Sequence, residues 1–442
     1  MTGRMITFDL APRAFADLIV RHLGQKAAVA GRLVRDIYGR LSFVTDQNLQ
    51  QDSERALRDG AVGCLGAYGQ PGPYLITSMA DDQDRFARLA AEPAIMILLD
   101  AADSDGVTLR LLDRRLSGDE WLIQPKALIE PPPRLVFYSV KGGVGRSTAL
   151  AVAAADLAAR GSNVLVLDMD LEAPGIGGML LPEDALPDFG VVDWFAAVAV
   201  GTDAASLVPD MVGQSSFTDG RAVVDVVPAH GRDPGDYLGK LARVLAPGSA
   251  GKAFAGQGFA AKTRALIEAL VARRQYDAVL IDARAGLHES SAGLLLGLGA
   301  AVFVFGVDTS QTFDDLGLLA AALHHAFEPQ NRGADLRGDF RMVHAKAPRD
   351  AKDRESFIQM SWDTWSGTLY DDLPAEAEPS PDAFVFDVND RDAPHYPLAI
   401  IGDPGYDRFD PRTKRYQISA QAYQPVFGGF LAGLHRRLDT TP

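Results

Sequence analysis

Lys141-Gly-Gly-Val-Gly-Arg-Ser-Thr148 is the stretch whose residue types and spacing suit chemistry most plainly. Gly142, Gly143 and Gly145 let the backbone curl so that successive N–H groups point at one anion, and a helix start behind them adds its positive end. Ser147 puts a hydroxyl where the magnesium of a nucleotide is ligated in a phosphate-binding loop. The position that normally holds the lysine of such a loop is Arg146, and a second cation, Lys141, opens it. Two further apolar runs end in acids. Val164-Leu-Val-Leu-Asp168 continues into Met169-Asp170, and Ala278-Val-Leu-Ile-Asp282 continues into Ala-Arg-Ala-Gly286. Nucleotide-bound magnesium takes oxygen ligands, several of them through water, so carboxylates at these places suit it. Each piece also has a plainer reading. A Gly-rich loop can be a turn, Asp is common after apolar runs, and Asp168 and Asp170 serve equally well as helix caps or turn formers. What makes the set specific is that the loop, the hydroxyl and the three acids all fall at the ends of predicted strands.

Those strands must lie side by side for the acids to meet the loop. From Arg134 onward the chain alternates short apolar runs with helical patterns, the mark of a parallel sheet covered by helices on both faces. Seven strands are predicted: Leu135–Val140, Val164–Asp168, Val223–Pro228, Ala278–Asp282, Ala301–Phe305, Phe340–His344 and Leu398–Ile401. In such sheets ligands bind beyond the carboxyl ends of the strands. Segments 182–220 and 351–393 are rich in Asp, Gly and Pro and read as insertions or lids, and a helix over Ala420–Leu438 closes the domain. Phe427, Phe430, Leu431, Leu434 and Leu438 form an apolar stripe on it, read as core rather than membrane contact. The fold class is therefore α/β, a phosphate-loop domain over 134–442. Pro131-Pro132-Pro133 forms a stiff linker, preceded by a small α+β domain over 1–130. In that first domain helices are expected over Phe15–Leu23 and Asp52–Arg58. Strands are expected at Gly39–Thr45, Tyr74–Thr77, Ile95–Leu99, Thr108–Leu112 and Trp121–Ile123. No catalytic constellation marks it, and Asp113-Arg-Arg115 reads as a solvated face, so recognition of a protein partner is its expected role.

Bulk properties narrow the field. The 442 residues carry a formal net charge of −15 and are 47% hydrophobic, enough for sizeable cores and contrary to a general affinity for nucleic acid or anionic lipid. Arg273-Arg274 and Arg436-Arg437 are too short for a phosphate track. The single cysteine, Cys64, cannot close an intrachain disulfide, which points to a reducing cytoplasm. It reads as a small buried hydrophobe before a nucleophile. No signal-peptide layout is present, and Ala292–Val307, the most membrane-like run, is short and interrupted by glycine. No zinc or iron–sulfur spacing occurs, although His324 and His325 are adjacent.

KGGVGRST resembles the deviant Walker A motif, K-G-G-x-G-K-[ST], of the ParA/MinD superfamily of ATPases. The likeness extends to Asp168-x-Asp170, to Asp282-x-x-x-Gly286, to Val226-Val-Pro-Ala229 and to Ile401-Gly-Asp-Pro404. It covers most of Leu135–Leu438 and leaves out the first domain. It implies a cytoplasmic protein using ATP and Mg2+, with Lys141 as the signature lysine that reaches the nucleotide of a second subunit in an ATP-bound homodimer. Gly142, Gly143, Val144, Gly145 and Arg146 would cradle the phosphates, and Thr148 would contact the α-phosphate. Ser147, Asp168 and Asp282 would hold magnesium and its waters, Asp170 would orient the attacking water, and Gly286 would let a switch loop sense the γ-phosphate. The adenine would lie near Gly402, Asp403 and Pro404, close to His344 and Lys346. Arg146 departs from the family lysine: it keeps the charge but is larger and planar, which puts the hydrolysis rate in question. Arg284 stands where many relatives have proline, as a solvated residue or an additional phosphate or interface contact. No guanine-reading Asn/Thr-Lys-x-Asp follows a late strand, the nearest being Ala345-Lys346-Ala347-Pro348, so ATP is expected over GTP.

Three functions follow. The first is a slowly ATP-hydrolysing dimerisation switch that regulates or positions a partner. The second, motivated by Arg146, is a nucleotide-binding scaffold with little turnover. The third is a tyrosine kinase of the bacterial type, for which the scattered Tyr406, Tyr416 and Tyr423 and the lack of a membrane span are poor support.

Overall fold

The computed structural model describes residues 6–69, 72–78, 86–89, 96–100, 108–114, 118–127, 131–218, 220–245, 258–327, 335–372 and 383–440. The chain divides into two compact units, Met1–Ser117 and Gly118–Pro442.

In the first unit, helices Leu10–Ala30 and Gln51–Leu65 pack on a five-stranded sheet of order β3-β2-β1-β5-β4. The strands are β1 (Arg32–Arg35), β2 (Leu41–Thr45), β3 (Leu75–Thr77), β4 (Met96–Asp100) and β5 (Thr108–Asp113). β1 was not expected, because four residues with an arginine at each end carry little strand signal. It is nonetheless the central strand, antiparallel to β2 and parallel to β5. Its last residue, Arg35, makes a bidentate pair with Asp113 at 2.7 Å, both side chains buried, so the expected solvated face begins with a buried ion pair. Ile95 and Arg115 lie outside the described residues.

The two units meet in sequence at Ser117/Gly118, earlier than the triple proline. Trp121–Ile123 is not a strand: Asp119–Leu122 is a 3-10 turn belonging to the second unit. Its Glu120 is buried and accepts from the Ala260 amide at 3.2 Å, at the start of helix Phe259–Val271, which is where a carboxylate offsets the helix's free N–H groups.

The second unit is built on an eight-stranded sheet of order β13-β12-β11-β6-β10-β7-β9-β8. The strands are β6 (Arg134–Ser139), β7 (Val164–Met169), β8 (Gly213–Gln214), β9 (Val224–Val227), β10 (Ala278–Ala283), β11 (Ala301–Gly306), β12 (Phe340–Ala347) and β13 (Leu398–Ile401). All pairings are parallel except β8 with β9. Alternate residues face opposite layers. On β6, Val136 and Tyr138 enter one core, while Leu135 and Phe137 enter the other. The phosphate-loop strand therefore runs through the middle of the sheet, buried on both faces.

Segment 182–220 is not a lid. It contains helix Val191–Val200, whose Val191, Val192, Trp194, Phe195 and Val198 are core residues, and it supplies edge strand β8. Segment 351–393 contributes helix Glu355–Ser366, whose Phe357 and Trp365 are buried; residues 373–382 lie outside the described set. The stripe on helix Ala420–Thr440 is core: Phe427, Phe430, Leu431 and Leu434 are buried on the Phe137 face of the sheet, with Leu438 at its margin. Among the described residues no helix is long and apolar enough to cross a membrane.

Candidate functional site

β6 and β7 are consecutive in the chain but separated in the sheet by β10, so three strand ends open onto one crevice. Register sets what meets there. Asp282 on β10 lies opposite Asp168 on β7 and Phe137 on β6. The loop after β6 turns through Gly143 (φ 77°) and Gly145 (φ 96°), a backbone that side chains rarely adopt, into helix Arg146–Ala159. A β-carbon built on Gly142, Gly143 or Gly145 would meet nothing within 4 Å, so the space beside these residues is open. Val144 turns the other way, into the core.

Arg146 does not lie along this open side. Its Nε donates to Asp282 Oδ1 and its Nη2 to Asp170 Oδ2, each at 2.7 Å, and its side chain is 8% exposed. Ser147 Oγ donates to the other oxygen of Asp282, also at 2.7 Å. Arg146, Ser147, Asp170 and Asp282 thus form one bonded cluster. Burial alone would lower the Arg146 pKa, but Asp282 and Asp170 together raise it. Burial raises that of Asp282 against the pull of Arg146 and Ser147. Two polar atoms of the cluster's surroundings, Arg146 Nη1 and Asp168 Oδ1, are buried without a hydrogen-bond partner among the described residues.

Asp168 does not touch the arginine. Its Oδ2 accepts from the amides of Gly175 at 3.1 Å and Gly177 at 3.4 Å. Burial, and then the charge of Asp282 on the next strand, push its pKa up from 3.8 to about 8. The folded chain therefore keeps a proton that the unfolded chain releases once the pH exceeds about 4. The associated stability is complete below that pH and is lost as the pH climbs toward 8. Asp168→Asn keeps the carbonyl acceptor but cannot ionise. Its melting temperature relative to wild type is expected to rise between pH 5 and pH 8 in thermal melts, and a flat or falling difference would contradict this.

The other predicted residues are distributed as follows. Lys141 Nζ lies 3.5 Å from Asp315 on helix Ser310–Phe327. Thr148 is half-buried in the first turn of the loop helix. Gly286 (φ 92°) is tied to the loop strand, its N–H donating to Ser139 O at 3.0 Å and its carbonyl accepting from Tyr138 Oη at 3.1 Å. Arg284 reaches Glu172 at 2.7 Å, joining the segment after β10 to the one after β7. Asp403 caps the turn Pro404–Tyr406 and pairs with Arg349 at 2.9 Å.

His344 does not join them. It is buried against Phe357 with ring centroids 3.9 Å apart, and burial lowers its pKa to about 4, so it is a core residue and not a base contact. Lys346 turns out at φ 56°, where the β12–β13 register shifts, and its Nζ donates to Gly143 O at 3.2 Å. It is a neighbour of the phosphate loop. Neither Lys346 nor Asp315 was legible in this role, since their partners lie some two hundred residues away in sequence and no spacing rule links them.

The arrangement fits a polyanion: an open N–H cradle, three cations (Lys141, Arg146, Lys346) and an orphaned guanidinium nitrogen. It also offers a divalent cation the Ser147 hydroxyl and the free oxygen of Asp168. Among the described residues no group of three or more His, Cys, Asp or Glu forms a cage of its own.

Residues 133–199 match the ParA family model, described as NUBPL iron-transfer P-loop NTPase. No curated protein matches the sequence. Among solved structures, the chain is similar to the MinD cell division ATPase of Pyrococcus furiosus, with 19% identity over 69% of this chain and 99% of that one, TM-score 0.40. It is also similar to pNOB8 ParA (16% identity, 70% and 99% covered, TM-score 0.41). A third is a putative plasmid partition protein of Borrelia burgdorferi bound to AMPPNP (14% identity, 69% and 100% covered, TM-score 0.39).

Proposed function

We propose that this chain, whose second unit is a ParA/MinD-like P-loop NTPase, is a Mg-ATP-dependent dimerisation switch that hydrolyses its nucleotide slowly. The observation that carries the reading is the convergence of Arg146, Ser147, Asp170 and Asp282 at the carboxyl ends of β6, β7 and β10. The loop amides of Gly142–Gly145 and the N-terminus of the following helix bind and orient the phosphates. Ser147, Asp168 and Asp282 hold the magnesium, which neutralises charge on the transferred phosphoryl group when bound. Asp170 orients the attacking water, and Gly286 links the phosphate site to the segment that carries Arg284. Lys141 serves a second subunit once it leaves Asp315. The turn at Gly402–Pro404, beside Lys346, receives the adenine. The Met1–Ser117 unit carries the state of the switch to a protein partner.

Hydrolysis is slow on this reading because the larger, planar guanidinium of Arg146 stands where a lysine normally meets the phosphates. Light scattering on the full chain with ATP, with ADP and without nucleotide tests the switch. The mass is expected to double with ATP alone, and Asp170→Ala should prolong the dimer. A mass that ignores nucleotide in both proteins would sink the proposal.

A further inference from the structure

Arg146 faces two demands on one guanidinium. As the cation of the phosphate loop it is needed by the nucleotide. Two of its three guanidinium nitrogens are spent on carboxylates, Nε on Asp282 and Nη2 on Asp170, and only Nη1 has no partner among the described residues. The acids hold it firmly because they are themselves buried, 1% exposed for the Asp282 side chain and 10% for Asp170. Pulling the guanidinium away would leave two desolvated negative charges beside Asp168, which is costly in a low-dielectric site. The fork of the arginine matters, since Nε and Nη2 are held in one rigid plane and serve two separate carboxylates, a geometry that the single nitrogen of lysine does not fix.

We propose that Arg146 is a metal-gated phosphate ligand, released from Asp170 and Asp282 only when a divalent cation takes over their charge. This rests on the reading of the site as a Mg-ATP site and goes beyond it: the metal becomes a condition of nucleotide capture and not merely of turnover. Nucleotide without metal meets a loop whose principal cation is already occupied. Lys141 and Lys346 remain, and each is also in contact with a protein oxygen, Asp315 Oδ2 and Gly143 O. The metal takes over the charge of the acids that the guanidinium leaves.

The unusual consequence is that deleting one acid should improve binding of metal-free nucleotide. The experiment is a fluorescence titration with a labelled ATP analogue, in magnesium and in EDTA, on the full chain. Wild type should bind well in magnesium and at least about tenfold more weakly in EDTA. Asp170→Ala should bind the metal-free analogue about tenfold more tightly than wild type does, the scale of one charge-assisted hydrogen bond regained. Removing any negative charge also favours an anion, so the gain is measured again in an Arg146→Gln background, as a double-mutant cycle. There it should vanish. A gain that persists without the arginine is simple charge relief and overturns the proposal, as does no gain at all. Arg146→Lys, read beside circular dichroism, covers the case in which Arg146→Gln does not fold. Its magnesium preference should be smaller than that of wild type, and an unchanged preference overturns the proposal. If wild type binds no nucleotide even in magnesium, it is the Mg-ATP reading that fails, and the two failures are distinct.

Discussion

Arg146→Ala is expected to lower the stability of the ligand-free second unit by about 3–5 kcal/mol, the usual cost of removing one partner from a buried ion pair. Arg146 is bonded to two carboxylates at once, and both are sequestered from water. Without it, Asp170, Asp282 and Asp168 would sit together with no cation in hydrogen-bonding contact among the described residues. Their means of relief is protonation, which sets the pH dependence. With the guanidinium gone, Asp282 loses the partner that pulls its pKa down against burial and its folded-state pKa rises, so the variant's deficit should be smaller at pH 5 and larger at pH 8. Urea unfolding followed by the fluorescence of Trp194 and Trp365, both in the core of that unit, reads this directly. A loss below about 1 kcal/mol at pH 8 would mean that the cluster is solvated or already protonated, and that Arg146 is not its keystone.

Phe430→Ala is expected to cost a similar amount, about 3–5 kcal/mol, through a different mechanism. Phe430 is fully buried, and its ring centroid lies 6.0 Å from Phe137, 5.4 Å from Phe303 and 5.8 Å from Phe305. Those three rings belong to β6 and β11, the strand that carries the phosphate loop and its neighbour. Truncation removes the transfer energy of a large ring and leaves a hole that close-packed strands cannot easily fill. Leu438, on the same helix but only partly buried, should cost much less when truncated; alanine is the best helix former, so the difference reports packing. Equal effects at the two positions, measured by the same urea unfolding, would contradict the central place of Phe430 in that core.

Much of this architecture is legible in the sequence because buried parallel strands announce themselves. Apolar runs such as Val164–Leu167 and Ala278–Ile281 have no polar alternation to confuse them, and the glycines of the loop have few uses besides a turn or an anion cradle. The acids at 168, 170 and 282 are placed by the same logic, since strand ends in a parallel sheet share one rim. Short or mixed signals fail instead. β1 and β8 are too brief to show a period. Trp121-Leu-Ile123 looks extended but is a turn organised by Glu120 capping a helix 140 residues on. Segment 182–220 has a lid-like composition, yet its middle, Val191–Val200, is an apolar helix with Trp194 and Phe195 in the core. Side-chain allegiance is the least readable feature. An arginine in the phosphate loop suggests phosphate contact, and only the packed strands reveal that two carboxylates claim it first.

The claim on which the account depends is that the loop captures a nucleotide, and isothermal titration of the full chain with magnesium-ATP tests it most directly. The prediction is saturable binding of one nucleotide per chain, abolished by Gly143→Asp, which puts a carboxylate and a strained backbone into the cradle. Folded wild-type protein that gives no more heat than buffer, or Gly143→Asp protein that binds as wild type does, would contradict it.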